Sequence, residues 1–487
     1  MSIKLLFLIN LVGLILILLI NNIKLITSTN QVIIRQLSLS ISIITLYVVI
    51  YMWYIFNSNV VEFQGIESIL NIDWGYDGIS LVLILLTAFL GPIALLSNWN
   101  ININNKDNKK DIMYVSLVLM LVFLMILNFL CLDMVSFYVL FESTLAPLFL
   151  LIGIYGASNK EKAAYYVLVY TLGSSLFMLL SIATYIYLLN TTDYLGIENI
   201  MLSIDIQCIL WLGIFIGIAV KTPLLPVHTW LPVVHSESPL GGSILLAGVI
   251  LKLAIYGILR LLIPNFTDAT MYYLPGVYVL ALITIVYTSL VTLRQTDLKV
   301  IIAYSSISHL GVCILGVFAN NLIGIEGSLL LCIAHGFVSP ALFIIVGGIL
   351  YDRYHNRLVY YYQGLSSFMP ILAIYLVFFS FCNVGTPLSI NFLGEFLSFI
   401  GAFQSHPILT AICTISVLLS ASYQMKLTNK LTGGNKSTYL QVTQDLTNRE
   451  TFLMNYLLIP TLFFGLYPTP LTDLLNLSCS SVLYHIV

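Results

Sequence analysis

The sequence predicts an all-α polytopic membrane protein of about fourteen transmembrane helices, and three observations carry that expectation. Of the 487 residues, 59% are hydrophobic and only 8% are charged, which excludes a soluble globular domain. The apolar residues gather into fourteen runs, each roughly 20 residues long, the length that spans a hydrocarbon core of ~30 Å as a helix. The basic residues between the runs are distributed with a strong alternation, as the loops of a multi-span protein require.

In chain order the runs fall near residues 4–21, 37–56, 78–97, 112–130, 133–154, 162–189, 207–231, 240–263, 274–293, 299–319, 323–350, 369–403, 407–427 and 452–468. The first three form an N-terminal segment, residues 1–110. In the seventh run, Pro223 and Pro226 each remove an amide hydrogen, which is expected to break the helix and free the carbonyls of Ala219 and Thr222. The twelfth run is interrupted in the same way: Thr386-Pro387-Leu388 repeats Thr222-Pro223-Leu224. Two broken helices five runs apart mark a transporter built from two repeats, runs 4–8 (residues 111–263) and runs 9–13 (residues 274–427). Because the shift is odd, the repeats are expected to be inverted. Residues 428–487 hold a polar loop with the composition of a surface helix, a last span and a short tail.

Charge then tests the count. With fourteen spans, the loops following odd-numbered runs carry fifteen basic residues and the opposite side only Lys4 and Arg260; Lys221 and Lys252 complete the nineteen. That asymmetry places both termini on the outer side. The seven cysteines lack CxxC spacing, and no nucleotide fingerprint or basic-aromatic patch is present. No iron-sulfur cluster, bound nucleotide or nucleic-acid partner is therefore expected. Heavy use of Asn, Ile, Tyr and Phe is the mark of AT-rich coding sequence, as in an organellar genome.

Few polar side chains lie deep in the apolar runs, and each needs a reason. A lysine at mid-bilayer costs on the order of 3 kcal/mol, so Lys221 and Lys252 need partners or a task. Glu142, Lys252, His309 and His335 each lie about ten to twelve residues into their runs, roughly 15 Å deep at ~1.5 Å per residue. Lys221 and Glu395, beside the two breaks, fit the same level. Residues at one depth on different helices make a file parallel to the membrane, so the implied proton path is lateral. Burial lowers the proton affinity of a lysine and a nearby carboxylate restores it, so such a file can pass protons. Glu142 and Lys252 also read as structural ion-pair residues, and His309 as a hydrogen-bonded packing residue. His309 and His335 on neighbouring runs also offer one imidazole pair for haem, with no second pair. His228, His235 and Glu237, in HTWLPVVHSESP, read as metal ligands or as a loop network; no close-spaced ligand motif supports a metal.

The run VKTPLLPVHTWLPVVHSESPLGGSILLAGVILKLAIYGILR resembles the signature of the proton-translocating antiporter-like membrane subunits of respiratory complex I. The resemblance is strong over runs 4–13 and rests on topology for residues 1–110. It implies a hydrophilic axis of Glu142 (FES), Lys221 (VKTP), Lys252 (ILKL), His309 (SHLG), His335 (AHG) and Glu395 (LGEF). The acid at Glu395 is discriminating, because two of the three sister subunits usually carry lysine there. One departure is LLPVH, with Pro226 where many relatives have a small flexible pair. The resemblance further implies a mitochondrial inner-membrane subunit of an H+-translocating NADH:ubiquinone reductase. It would have no redox chemistry or cofactor of its own, and its partners would be the other membrane-arm subunits and the lipid bilayer. The termini would face the intermembrane space. A subunit of a multi-subunit cation/proton antiporter shares the fold and is the alternative.

Overall fold

The computed structural model describes residues 2–22, 28–69, 71–99, 108–194 and 202–484; Lys24 and Lys106, counted above among the basic loop residues, lie outside the described residues. All fourteen apolar runs are predominantly helical, with described non-helical breaks within the seventh and twelfth. Among the described residues, twelve helices are long and apolar enough to cross a membrane in one piece. A further pair is bent by 70° and counts as one more if it forms a single span. The twelfth run is in two shorter pieces.

The chain divides into two compact units, Met1–Ile218 with Glu237–Thr267, and Ala219–Ser236 with Asp268–Val487. The first contains α1 (Ser2–Asn22), α2 (Ser28–Ile55), α3 (Gly78–Ser97), α4 (Asn108–Leu130), α5 (Met134–Tyr155), α6 (Lys160–Leu189), most of α7 (Ile204–Lys221) and, beyond α8 (Trp230–Glu237), α9 (Leu240–Leu262). Leu240–Leu262 is buried on every face, so it is the core helix of this unit, packed on α3, α4 and α5. Two π-helical turns, Leu246–Ile250 and Ile258–Leu262, interrupt it.

A hairpin absent from the sequence expectation joins α2 to α3. Strands β1 (Gln64–Ile69) and β2 (Ile72–Tyr76) pair antiparallel, with Glu67 opposite Trp74, and Asn71 turns the chain at φ 59°. Asp77 then caps α3, exchanging hydrogen bonds with Ser80. Arg260 is not a loop charge, as the topology count took it, but the partner of Asp77. Both are buried and form an ion pair, with the Arg260 guanidinium 5.0 Å from the Phe63 ring centre and 5.4 Å from that of Tyr256. Arg260→Met leaves the Asp77 carboxylate buried without its cation and is expected to cost about 3–5 kcal/mol, most of it recovered by Asp77→Asn in the same chain. Thermal dissociation of the purified assembly checks this, and a single variant as stable as the parent would show that the pair is not structural.

The second unit contains α10 (Thr267–Thr292), α11 (Leu298–Val317), α12 (Leu322–Tyr354), α13 (Pro370–Val384), α14 (Ile390–Ser405), α15 (Pro407–Thr432), α16 (Asn448–Leu466) and α17 (Thr469–Tyr484). Its core is α12, fully buried along its most apolar stretch, and α12 packs on α11, α13, α14, α16 and α17. Against α14 the contact is between backbones. A Cβ on Gly327 would lie 2.4 Å from the Ser398 nitrogen, and one on Gly394 2.5 Å from the Leu331 nitrogen. Only glycine permits that approach.

The loop over residues 428–451, read as a candidate surface helix, is instead the end of α15, an irregular segment at 433–447 and the start of α16. Arg353 holds the irregular segment by donating to the carbonyls of Gln444 and Asp445 while pairing with Glu450 at 2.8 Å. The short tail expected after residue 468 is the helix α17, folded back on α12.

Candidate functional site

In the second unit, three side chains chosen from the sequence converge. His309 on α11 and Glu395 on α14 pair Nδ1 to Oε1 at 2.9 Å, and the His335 ring on α12 is centred 5.9 Å from that of His309. All three are buried. With Nδ1–H donating to the carboxylate, His309 keeps Nε2 as a basic site, and this atom has no protein partner among the described residues. The serines around His309 do not share in this pair: Ser305, Ser306 and Ser308 bond back to carbonyls of their own helix.

The break in the twelfth run places Glu395. The helix α13 ends at Gly385, φ 79°, and α14 begins after the Ser389 cap. A Cβ on Gly385 would stand 2.8 Å from Glu395 Oε2, so the backbone at the break closes directly over the carboxylate. Asn383 and Asn391 flank the same break, both buried, and Asn383 Nδ2 and both polar side-chain atoms of Asn391 have no protein partner among the described residues. The sequence reading missed them. Their signal was a polar residue on either side of GTPLS in an otherwise apolar run.

The seventh run breaks as expected, with Lys221 as the last residue of α7 and 2% exposed. A cation there complements the helix C-terminus. The carbonyl accounting differs from the expectation. Ala219 O is not free; it accepts from the Leu224 amide at 3.0 Å and from the Thr222 hydroxyl at 3.3 Å. Trp230 Nε1 donates to Val220 O at 2.8 Å and ties the break closed. Hydrogen bonds made within the break satisfy the Ala219 and Val220 carbonyls.

His228 and His235 occupy the same segment and do not converge. The ring of His235 stacks on Phe343 at 4.6 Å with 14° between planes, and His228 meets the edge of Tyr287 at 5.9 Å. Among the described residues no group of three His, Cys, Asp or Glu side chains has the arrangement to hold a metal ion.

In the first unit, Lys252 is fully buried on α9, between the two π turns. Its ammonium donates to the carbonyl of Ala247, inside the first of them. A π turn misaligns carbonyls from the regular ladder, and here one serves as a lysine acceptor. Glu142 on α5 lines a groove of about 450 Å³ whose other walls are apolar, among them Leu145, Phe149, Val167 and Leu172. Glu237 clamps the turn between α5 and α6: its carboxylate accepts from Asn159 N at 2.8 Å and its carbonyl from Ala157 N at 2.9 Å.

The profile of the transmembrane family of NADH:quinone oxidoreductases and Mrp antiporters matches residues 131–420, more than half of the chain. The chain belongs to this family. All six deep polar residues, Glu142, Lys221, Lys252, His309, His335 and Glu395, fall inside the matched region. The chain is 61% identical over 399 residues to an NADH-ubiquinone oxidoreductase chain 4 of Candida albicans, covering 82% of this chain and 84% of that one. A chain of respiratory complex I from Thermus thermophilus, 25% identical, superposes with a TM-score of 0.87 over 99% of this chain and 100% of its own. A chain of the Mrp complex from Dietzia sp. also reaches a TM-score of 0.87, over 99% of each chain. At 17% identity that likeness is one of fold alone.

Proposed function

We propose that the chain is a proton-translocating core membrane subunit of respiratory complex I, seated in the mitochondrial inner membrane beside the other antiporter-like subunits. The observation that carries this reading is the 61% identity, over 82% of the chain, to a relative named as a complex I subunit. The Mrp likeness, at 17%, supports no more than a shared architecture.

On this reading the deep residues hand protons along the membrane plane. Glu142, Lys221 and Lys252 form one part of the axis, and His309, His335 and Glu395 the other. The His309–Glu395 pair supports the proposal most directly, because a buried imidazole in hydrogen-bond contact with a carboxyl group is an acid-base pair between which a proton can be handed. Lys221 at a helix end and Lys252 between π turns have environments that a small rearrangement of the backbone would alter. Energy would come from electron transfer elsewhere in the complex. Both termini are read as facing the intermembrane space, supported by the loop-charge asymmetry that remains once Arg260 is moved into the core.

An affinity tag on this chain tests the assignment. Detergent extraction is expected to recover the tagged chain in an assembly that oxidises NADH with ubiquinone and, in vesicles, takes up protons. Recovery in a small assembly without NADH oxidation would replace this reading by the antiporter one.

A further inference from the structure

We infer that the ends of α10 and α15 form a binding site for the phosphate headgroup of an anionic phospholipid. A cavity of about 300 Å³ lies there, lined by Arg294, Gln295, Thr296, Tyr360, Lys426 and Lys430 among others, and no aspartate or glutamate stands in its wall. Three cations around one concave space repel each other and favour an anion that offers several acceptor oxygens. Lys426 and Lys430 are one helical turn apart on α15 and so face the same way. Lys426 is oriented by donating to the Leu293 carbonyl at 2.9 Å. The side chains of Arg294 and Lys430 have no ion-pair partner among the described residues, so their charge is available.

What selects a lipid over a soluble anion is the surface that continues from the cavity. Arg294 follows the last turn of α10, a membrane span. Counting back from it by four and three residues alternately gives Leu290, Tyr287 and Ile283, which are 50%, 47% and 44% exposed. Those spacings lie along one helix face. An exposed apolar stripe thus descends along the span from directly beneath the cationic cavity. A headgroup seated among Arg294, Lys426 and Lys430 would lay an acyl chain along that stripe. A free phosphate would use the cavity and leave the stripe without a role.

The test uses the whole complex carrying this chain, reconstituted in nanodiscs with a trace of phosphatidylglycerol bearing a photoreactive diazirine in its acyl chain. Cross-linked peptides are read by mass spectrometry. Cross-links are expected at residues 283–290 and to fall about fivefold for each positive charge removed by Arg294→Gln and Lys430→Gln. NADH oxidation by the variants is expected to stay at the parental level. The same probe on a phosphatidylcholine headgroup is expected to label this stripe several-fold less. Equal labelling by the two headgroups would make the stripe ordinary lipid contact and overturn the proposal. So would labelling lost to excess inorganic phosphate, which would mark a soluble-anion site, and so would no labelling by either lipid, which would mean that a neighbouring subunit covers the face. If the double variant fails to assemble, Arg294→Gln alone, on an exposed residue without an ion pair, carries the same comparison.

Discussion

Glu395→Gln is expected to leave the complex assembled and to reduce NADH-driven proton uptake at least about tenfold, in line with loss of a positioned acid-base group. Glutamine has nearly the same volume, and its amide oxygen can accept from His309 Nδ1–H as the carboxylate does at 2.9 Å. The packing of α11, α12 and α14 is therefore retained. What is lost is the negative charge, and the carboxyl that can take up and release a proton, beside His309 in a site where Glu395 is only 8% exposed. Glu395→Lys separates two effects. It sets an ammonium against His309, so each group lowers the other's proton affinity, and the mispaired buried charge costs about 3–5 kcal/mol in addition. The lysine variant is thus expected to lose both pumping and part of its assembly. Proton uptake in reconstituted vesicles, divided by assembled complex on native gels, is the measurement. A glutamine variant that pumps like the parent per assembled complex would remove Glu395 from the axis.

Gly394→Ala is expected to destabilise the core of the second unit. The new Cβ would lie 2.5 Å from the Leu331 nitrogen and 2.6 Å from the Leu331 Cα. These are backbone atoms in the middle of a buried helix and cannot turn aside, so α14 must move away from α12. Overpacking of this kind costs about 1–3 kcal/mol, and Gly394→Leu, with three more carbons to place, is expected to exceed that range and to prevent assembly. Any displacement also carries Glu395, the next residue, away from His309, so uptake per assembled complex should fall along with the yield. Gly276→Ala is the control. It lies within α10, where an added Cβ meets nothing within 4 Å, and alanine favours a helix over glycine by up to about 1 kcal/mol. Equal yields of the Gly394→Ala and Gly276→Ala chains on native gels would show that the seam relaxes at little cost.

Much of the architecture was legible because the membrane leaves few choices. An apolar run of sufficient length has to be a helix, since hydrocarbon offers no other partner for its amides and carbonyls. Proline within such a run has to break or bend it. Hence the positions of the runs, the break after Lys221 and the break before Glu395 could be read from residue types and spacing. The short strands of the hairpin at residues 64–76 could not, because a search for runs of some twenty residues passes over segments of five or six. The loop at residues 428–451 misled for a related reason: a polar composition describes exposure, whereas Arg353, from far earlier in the chain, decides the path of its irregular part.

The sequence by itself determined which side chains are too costly to bury without purpose: Glu142, Lys221, Lys252, His309, His335 and Glu395 stand out against an apolar background whatever the packing. Only the tertiary structure decided which of them meet and which look-alikes do other work. It joined His309 to Glu395, set Glu237 to clamping a turn, stacked His235 on Phe343, and turned Arg260 from a loop charge into the buried partner of Asp77. The physical reason is range. The cost of burying a charge is a property of one residue and its immediate apolar neighbours, whereas its relief depends on a partner that helix packing brings from far along the chain, here through glycines that let α12 and α14 touch backbone to backbone.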